Sequence, residues 1–172
     1  MKKLVLPALL SAVLAACSST GPEATSGAAV SDRSGAGVAT VTAPGVSGSG
    51  IAALTDPNNI LSKRNVFFDF DSYVIKAEAK PLVEAHGRFL AQNPQMKMLV
   101  QGNADERGSR EYNLALGQKR ADAVKQALLL LGAKEAQIES VSLGEEKPRC
   151  TEASEACYAQ NRRGDMLYSG EF

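Results

Sequence analysis

The sequence predicts an α/β sandwich, in which helices pack on a β-sheet. Two observations support this fold class. From about residue 58 onward, stretches with the apolar alternation of strands are separated by stretches with helical periodicity. In contrast, 26 of the 33 residues in 18–50 are Gly, Ser, Ala, Thr or Pro, without apolar periodicity. Only the last ~110 residues can therefore bury the core that a domain needs.

The first predicted elements are a strand, a helix and a second strand. Every second residue of 65–71 is apolar and belongs to one expected core face, which indicates a strand. Residues 81–92 place apolar side chains at helical spacing, and Pro81 suits the first turn of a helix. Residues 96–102 alternate again and predict the second strand.

The remaining elements continue the alternation of helices and strands. Residues 113–131 form the longest helical pattern, and Gly132 is well placed as a C-terminal cap. Residues 138–143 predict a third strand, 154–162 a short helix and 165–168 a final strand. The resulting order is β-α-β-α-β-(α)-β, but the order of the strands within the sheet does not follow from it.

Residues 1–17 have the pattern of a bacterial export signal. Two lysines precede an apolar run of 11 residues, Leu4–Leu14, which is too short to span a bilayer. The following segment Leu14–Cys17 (LAAC) resembles a lipobox, in which the cysteine is lipidated after cleavage in front of it. Ser18 then resembles the pattern that is sorted to the outer membrane. The alternative is an ordinary signal peptide with a cysteine nearby by chance.

These patterns divide the chain into three parts. We expect residues 1–16 to be a lipoprotein signal peptide and residues 59–172 to be the folded domain. Between them, residues 17–58 should form a disordered tether behind the lipidated Cys17, because so few large side chains cannot offset the entropy of ordering the chain.

Composition excludes several function classes. The 19 basic residues are balanced by 19 acidic residues, whereas a nucleic-acid-binding protein normally has a basic excess. The single histidine, His86, makes a histidine metal cluster or a Ser/His/Asp triad untenable. In an exported chain, Cys150 and Cys157 favour a disulfide, and the alternative of a metal site lacks further ligands. We expect no metal, cofactor or catalytic residue.

The long predicted helix carries an unusual polar group on its core-facing side. At 100° per residue, Asn113, Leu116, Gly117 and Arg120 fall on the same face as its core residues. A buried guanidinium is costly unless it is paired. Because Gly117 would leave space beside Arg120, we interpret this face as a site for a carboxylate.

Two acids are predicted near this arginine. Asp105 lies in a loop between a strand and a helix, where ligand sites of α/β proteins collect, and it could hold an ammonium group or orient Arg120. Asp71, at the end of the first strand, is expected at the same edge. The alternative is that Asp105 and Arg120 form a structural ion pair and Asp71 is a solvated turn residue.

Several segments resemble the OmpA-like peptidoglycan-binding domain family. The segments are 65–72 (NVFFDFDS), 102–108 (GNADERG), 109–116 (SREYNLAL) and the NxxLxxxRA pattern of 113–121. The lipobox, tether and domain together are similar to the layout of the lipoproteins in this family. The resemblance implies a βαβαβ-type two-layer sandwich with a mixed four-stranded sheet.

The resemblance also implies a function. Members of the family bind the peptidoglycan stem peptide non-covalently at diaminopimelate, with the residues at positions 105 and 120 meeting its amine and its carboxylate. The implied site residues of this chain are Asp105, Arg120, Asp71, Ser72, Asn113, Leu116 and Gly117. A lipoprotein of this kind would be anchored in the outer membrane with its domain in the periplasm, bind TolB of the Tol system, and support envelope integrity and constriction at division.

The sequence departs from the family pattern at one point, and other functions stay open. The family usually has His and Thr at the positions of Asn103 and Ala104, next to Asp105. One alternative is an OmpA-like lipoprotein without a Tol partner. Another is a cell-wall hydrolase using Asp71 and Asp105 as an acid/base pair, but no hydrolase motif supports it, and we predict that the chain is not an enzyme.

Overall fold

The structure is a computed structural model and describes residues 51–172, so the predicted signal peptide, Cys17 and most of the predicted tether lie outside the described residues. The helices and strands, in chain order, are α1 (Ile51–Thr55), β1 (Asn65–Phe67), α2 (Lys80–Gln92), β2 (Met98–Asn103), α3 (Arg110–Leu130), β3 (Ile138–Gly144), α4 (Glu155–Asn161) and β4 (Arg163–Tyr168). Short 3₁₀ turns lie at Ile60–Ser62, Ala77–Ala79 and Glu135–Gln137.

The four strands form one mixed sheet in the order β1-β4-β2-β3. β2 and β3 are parallel and are connected through α3, whereas β4 is antiparallel to both β1 and β2. Apolar side chains of α2, α3 and the sheet share one core cluster, which includes Phe89, Val124, Val100 and Met166. This architecture confirms the predicted fold class, and it supplies the strand order that the sequence left open.

The first strand is shorter than predicted. It ends at Phe67, and although Phe68 is still buried in the core, Phe70 is 58% exposed. The chain turns at Asp71, whose φ of 52° lies in the left-handed region that Asp adopts more readily than most residues. The turn breaks the alternation, so the prediction that Phe70 faces the core is wrong.

The folded unit also includes residues that the sequence assigned to the tether. Ala53 and Leu54 of α1 are buried in the core cluster, and the carbonyl oxygen of Leu54 accepts a hydrogen bond from Arg64 Nη2 at 2.8 Å. The predicted boundary at residue 59 is therefore too late. The helix was missed because its five residues are too short for a periodic pattern.

Two glycines allow α3 to lie directly on β2. A Cβ at Gly102 would lie 1.8 Å from the carbonyl oxygen of Gly117, and a Cβ at Gly117 would lie 2.3 Å from Ser142 Oγ. Both distances are far below van der Waals contact, so neither position has room for a side chain. This close approach fixes how far α3 stands from the sheet, and therefore where the residues of its N-terminal half lie.

The single histidine belongs to the core. His86 is fully buried in α2, with Nδ1 2.8 Å from the Tyr168 hydroxyl and Nε2 2.8 Å from the carbonyl oxygen of Lys63. A carbonyl can only accept, so Nε2 carries the proton, and Nδ1 accepts from the hydroxyl. Burial lowers the pKa of His86 to about 4, which keeps the ring neutral.

Substituting the glycine of β2 tests the close approach. We expect Gly102→Ala to lower the free energy of unfolding by roughly 1–3 kcal/mol or more, because the new methyl group meets backbone and not a movable side chain. Gly164→Ala is the matched control: Gly164 is the register partner of Gly102 on β4, and its Cβ would meet Val124 and Phe68 at ordinary distances of 3.5 and 3.6 Å. Equal urea midpoints for the two variants would contradict the packing described above.

The buried histidine predicts an acid-sensitive stability. The unfolded chain takes up a proton near the ordinary pKa of 6.5, whereas folded His86 does so only near 4. The free energy of unfolding should therefore fall as the pH drops from 6.5 towards 4, by about 3 kcal/mol from this residue. Urea unfolding gives the slope, and NMR of the lone imidazole gives the charge state. An imidazole that titrates near 6.5 in the folded domain would refute the assignment.

Candidate functional site

A cleft of about 220 Å³ opens where the β1–α2 loop (residues 68–79), the β2–α3 loop (residues 104–109) and the first turns of α3 meet. It is lined by Phe70, Asp71, Asp105, Arg107, Gly108, Tyr112, Asn113, Leu116 and Arg120. Five of these residues, Asp71, Asp105, Asn113, Leu116 and Arg120, are ones that the sequence proposed for a site. The structure therefore brings segments that are distant in sequence to one place.

Arg120 is the most deeply placed polar group of the cleft. It is fully buried, and its Nε, Nη1 and Nη2 donate to the carbonyl oxygens of Ser72, Asn103 and Asp69 at 2.8, 2.8 and 3.1 Å. The guanidinium thus ties the β1–α2 loop to the end of β2. A guanidinium has five N–H groups, and these three bonds leave two of them without a hydrogen-bond partner among residues 51–172.

The charge of Arg120 has no direct counter-ion among residues 51–172. No carboxylate of these residues lies within 4 Å of it, so the ion pair with Asp105 that the sequence left open is not formed. Burial lowers the pKa of Arg120 to about 10, which still leaves it charged at neutral pH. A buried cation without a direct carboxylate partner, held by carbonyl dipoles and lying 5.4 Å from the ring centroid of Phe68, favours an anionic ligand.

Asp105 is held by two other arginines. Its Oδ2 accepts from Arg107 Nη2 at 2.7 Å and from Arg162 Nη1 at 3.1 Å, and its Oδ1 accepts from the backbone N–H of Arg107 at 3.1 Å. Burial alone would raise the pKa of Asp105, but these bonds outweigh it and lower the pKa below its usual value. The prediction that Asp105 orients Arg120 is wrong, because closer arginines occupy the carboxylate.

Asp71 lies at the rim of the cleft. Its exposed carboxylate accepts a hydrogen bond from the hydroxyl of Tyr112, which stands on the first turn of α3. This bond raises the pKa of Tyr112. Asp71 is thus a cleft residue with a partner on α3, and not the purely solvated turn residue of the alternative interpretation.

Asn113 and Leu116 form the α3 wall of the cleft. Asn113 is buried and its amide donates to the carboxylate of Glu145, in the loop after β3. Leu116 is buried one turn later and gives the cleft an apolar surface. Ser109 begins the helix by accepting a hydrogen bond from the Tyr112 N–H at 3.2 Å, which directs these residues into the cleft.

Two predicted site residues lie outside the cleft lining. Ser72 contributes its backbone carbonyl to Arg120, while its hydroxyl accepts from the Val74 N–H at 3.1 Å. Gly117 faces Gly102 on the sheet, so it does not leave space beside the guanidinium as the sequence suggested. Helical periodicity placed Gly117 on the buried side of α3, but it could not distinguish the sheet from the cleft.

The sequence departs from the family pattern at Asn103 and Ala104, but neither residue forms a hydrogen bond with the Asp105 carboxylate. Asn103 Nδ2 donates to the carbonyl oxygen of Gln101 at 3.2 Å and to Asp165 Oδ2 at 3.3 Å, and the Ala104 N–H donates to the carbonyl oxygen of Gly144 at 2.7 Å. These contacts join neighbouring strands. The support of the Asp105 carboxylate comes from arginine side chains instead.

Arg162, the buried arginine that contacts Asp105, is positioned by α4. A disulfide joins Cys150 to Cys157, with Cα atoms 5.3 Å apart, so the predicted pair meets in the structure. Glu155 lies between them in sequence and accepts from Arg162 Nη2 at 2.7 Å. The carboxylate of Glu155 also pairs with Arg107 Nη1 at 3.2 Å.

Sequence reasoning missed the aromatic and basic residues around Asp105. Arg107 lies against the rings of Phe70 and Tyr158, with its Cζ 4.2 and 4.5 Å from their centroids. Its position two residues after Asp105 in the loop was the available signal. For Arg162 there was none, because the contact joins residues 57 positions apart.

The cleft combines charged groups of both signs. Arg120 contributes N–H donors, and Asp71 and Asp105 contribute carboxylates. A ligand that presents an anionic and a cationic group close together matches this pattern. Within the described part of the chain, no group of His, Cys, Asp and Glu could hold a metal ion, and no helix is long and apolar enough to cross a membrane.

Comparison with known proteins agrees with the fold and the motifs. The chain is 41% identical to a peptidoglycan-associated lipoprotein of Haemophilus influenzae over 91% of both chains, and 39% identical to one of Pseudomonas putida over 92% of both. The crystal structure of a peptidoglycan-associated lipoprotein from Burkholderia pseudomallei superposes with a TM-score of 0.67 at 55% identity, covering 68% of this chain and 99% of that one.

More distant structures share the fold alone. The C-terminal domain of Helicobacter pylori MotB superposes with a TM-score of 0.58 at 19% identity, over 62% of this chain and 84% of that one. A model of the OmpA family matches residues 67–162, more than half of the chain and the whole of the cleft. The chain therefore belongs to the OmpA family.

Proposed function

We propose that the cleft binds the peptidoglycan stem peptide non-covalently, through the ammonium and carboxylate groups of diaminopimelate. The observation that carries the proposal is the bonding of Arg120. This buried cation has two N–H groups without a hydrogen-bond partner, and it has no carboxylate partner within residues 51–172. Relatives that cover more than nine-tenths of the chain are named peptidoglycan-associated lipoproteins, which supports this choice of ligand.

The chemistry of diaminopimelate fits the two charges of the cleft. Its free end carries an ammonium and a carboxylate on the same carbon atom. Arg120 would receive the carboxylate and Asp105 the ammonium, with Asp71 adding negative charge at the rim. Phe70 and Leu116 would contact the methylene chain between the two ends of the residue. Two charge-assisted contacts in one buried cleft give both affinity and orientation.

As a member of the OmpA family, the chain is a binding protein and not an enzyme. The geometry argues in the same direction against the hydrolase alternative. A general acid must be protonated at the working pH, but the hydrogen bonds from Arg107 and Arg162 lower the pKa of Asp105 and keep it ionised. We expect the domain to co-sediment with purified sacculi without releasing soluble fragments.

We also propose that the domain is attached to the outer membrane. Residues 1–16 would be removed, Cys17 would carry the lipid, and the residues up to 50 would form the tether. The names of the relatives, which are lipoproteins, support this proposal. Mass spectrometry of the N-terminal peptide from outer-membrane fractions should find an acylated Cys17. Normal maturation and outer-membrane recovery of Cys17→Ser would contradict it.

The finer proposal is a role in the Tol–Pal system. The relatives' names and the shared layout support binding to TolB, and through it a part in envelope integrity and in constriction at division. The domain should retain TolB from a periplasmic extract of its own organism. A domain that binds sacculi but leaves TolB in the flow-through would instead be an OmpA-like lipoprotein without a Tol partner.

Replacing the arginine by lysine tests the binding site. Arg120→Lys keeps the charge but removes the planar fork, so affinity for a diaminopimelate stem peptide should fall roughly 10- to 150-fold, the value of one charge-assisted contact of ~1.5–3 kcal/mol. Isothermal titration gives the affinity, and a thermal melt is needed because Arg120 also holds two loops. Arg88→Lys is the control, since Arg88 is exposed on α2 and pairs with Glu84 at 3.4 Å.

Two results would contradict this assignment. Wild-type affinity in a normally folded Arg120→Lys variant would show that the arginine does not contact the ligand. A loss of binding that only follows the unfolded fraction would make Arg120 a structural residue of the loops.

A further inference from the structure

The carboxylate assigned to the ligand's ammonium is already occupied in this structure. Asp105 Oδ2 accepts from Arg107 and Arg162 together, and Oδ1 accepts from the Nε of Arg107 at 3.3 Å. A carboxylate has about four acceptor positions, and these contacts with the backbone bond use all of them. A ligand ammonium can therefore reach Asp105 only if one of the two guanidinium groups leaves.

The two arginines differ in how firmly they are held. The side chain of Arg162 is 6% exposed, and its Nε also donates to the carbonyl oxygen of Phe68 at 3.2 Å. The side chain of Arg107 is 35% exposed and belongs to the loop that borders the cleft. Moving Arg162 would break a buried bond to the backbone, whereas Arg107 has only side-chain partners for its guanidinium.

The guanidinium of Arg107 also contacts a second carboxylate. Its Nη1 lies 3.2 Å from Glu155 Oε2, on a side chain that is 62% exposed and whose Oε1 accepts from Arg162 Nη2 at 2.7 Å. The Arg107 Cζ lies 4.2 and 4.5 Å from the ring centroids of Phe70 and Tyr158. The guanidinium can therefore leave Asp105 and keep both its pair with Glu155 and its cation–π contacts.

We propose that Arg107 is a displaceable internal cation. It occupies the ammonium position on Asp105 in the free domain, and the ligand's ammonium replaces it there while the guanidinium moves towards Glu155. The inference rests on the proposed function, because it assigns the ligand's ammonium to Asp105. It makes Arg107 a residue that limits affinity, although removal of a basic residue beside an anion-binding site would ordinarily be expected to weaken binding.

The displacement costs free energy whichever ligand binds. A ligand with only an ammonium must displace Arg107 and has no carboxylate for Arg120. A diaminopimelate residue displaces Arg107 and gains the carboxylate contact as well. Removing Arg107 should therefore strengthen the binding of both ligands by a similar factor.

The experiment compares two synthetic stem peptides on matched variants. One peptide carries meso-diaminopimelate and the other carries lysine, which has the ammonium but lacks the carboxylate. Titrations are run with the wild-type domain, Arg107→Gln, Arg107→Lys and Arg110→Gln. Arg110 is the charge-matched control, since it stands on α3 outside the cleft lining and pairs with Glu146 at 2.8 Å.

We expect Arg107→Gln to bind both peptides more tightly, each by about twofold to fivefold, the range that a partly exposed ion pair is worth. Arg107→Lys should stay near the wild type because it still places a cation on Asp105, and Arg110→Gln should not show the gain. Thermal melts confirm that each variant is folded.

The outcomes separate this inference from the proposed function. If the wild type binds the diaminopimelate peptide and a folded Arg107→Gln binds either peptide equally well or more weakly, Arg107 is not a competitor and the inference fails alone. If neither the wild type nor Arg107→Gln binds the diaminopimelate peptide, the proposed function fails and the inference fails with it. Binding by Arg107→Gln alone would support the inference strongly, since the internal cation would then block the cleft.

Discussion

The cleft depends on one buried guanidinium. Arg120 enters the space between two loops because the Gly102–Gly117 contact brings α3 down onto β2. There it donates to three backbone carbonyls, of which that of Asp69 also accepts from the Ser72 N–H at 3.3 Å. The same bonds hold the turn that carries Asp71 against the end of β2. The scaffold and the proposed binding site therefore share one residue.

The two buried charges of the cleft, Arg120 and Asp105, are stabilised by different kinds of partner. Arg120 is held by carbonyl dipoles and stays charged at neutral pH, and its buried guanidinium borders the cleft. Asp105 is compensated by two arginines, of which only Arg162 is buried on all sides. The disulfide and Glu155 fasten α4 beside this group. In the proposed complex, the ligand's carboxylate would supply the counter-ion that Arg120 lacks among residues 51–172, and its ammonium would take the place of Arg107 on Asp105.

Much of the fold and about half of the site follow from the sequence. Apolar periodicity predicted the strands and long helices because each has one apolar face. It also placed Asn113, Leu116 and Arg120 on the buried side of α3. It could not give the strand order or the partners of Asp105, since these depend on how distant segments meet. Phe70 was misplaced because a turn at Asp71, and not the strand pattern, decides its direction. The short helix α1 has too few residues for a periodic signal.

The central claim is that Arg120 contacts the ligand's carboxylate as well as the loops. A change on the ligand tests it most directly, because it leaves the loops intact. Affinities of a diaminopimelate peptide and of its side-chain carboxamide should be measured on the wild type and on Arg120→Lys, as a thermodynamic cycle. We predict that amidation weakens binding to the wild type roughly 10- to 150-fold but weakens binding to Arg120→Lys far less. An equal loss in both proteins would mean that another group receives the carboxylate, and the account given for Arg120 would be wrong.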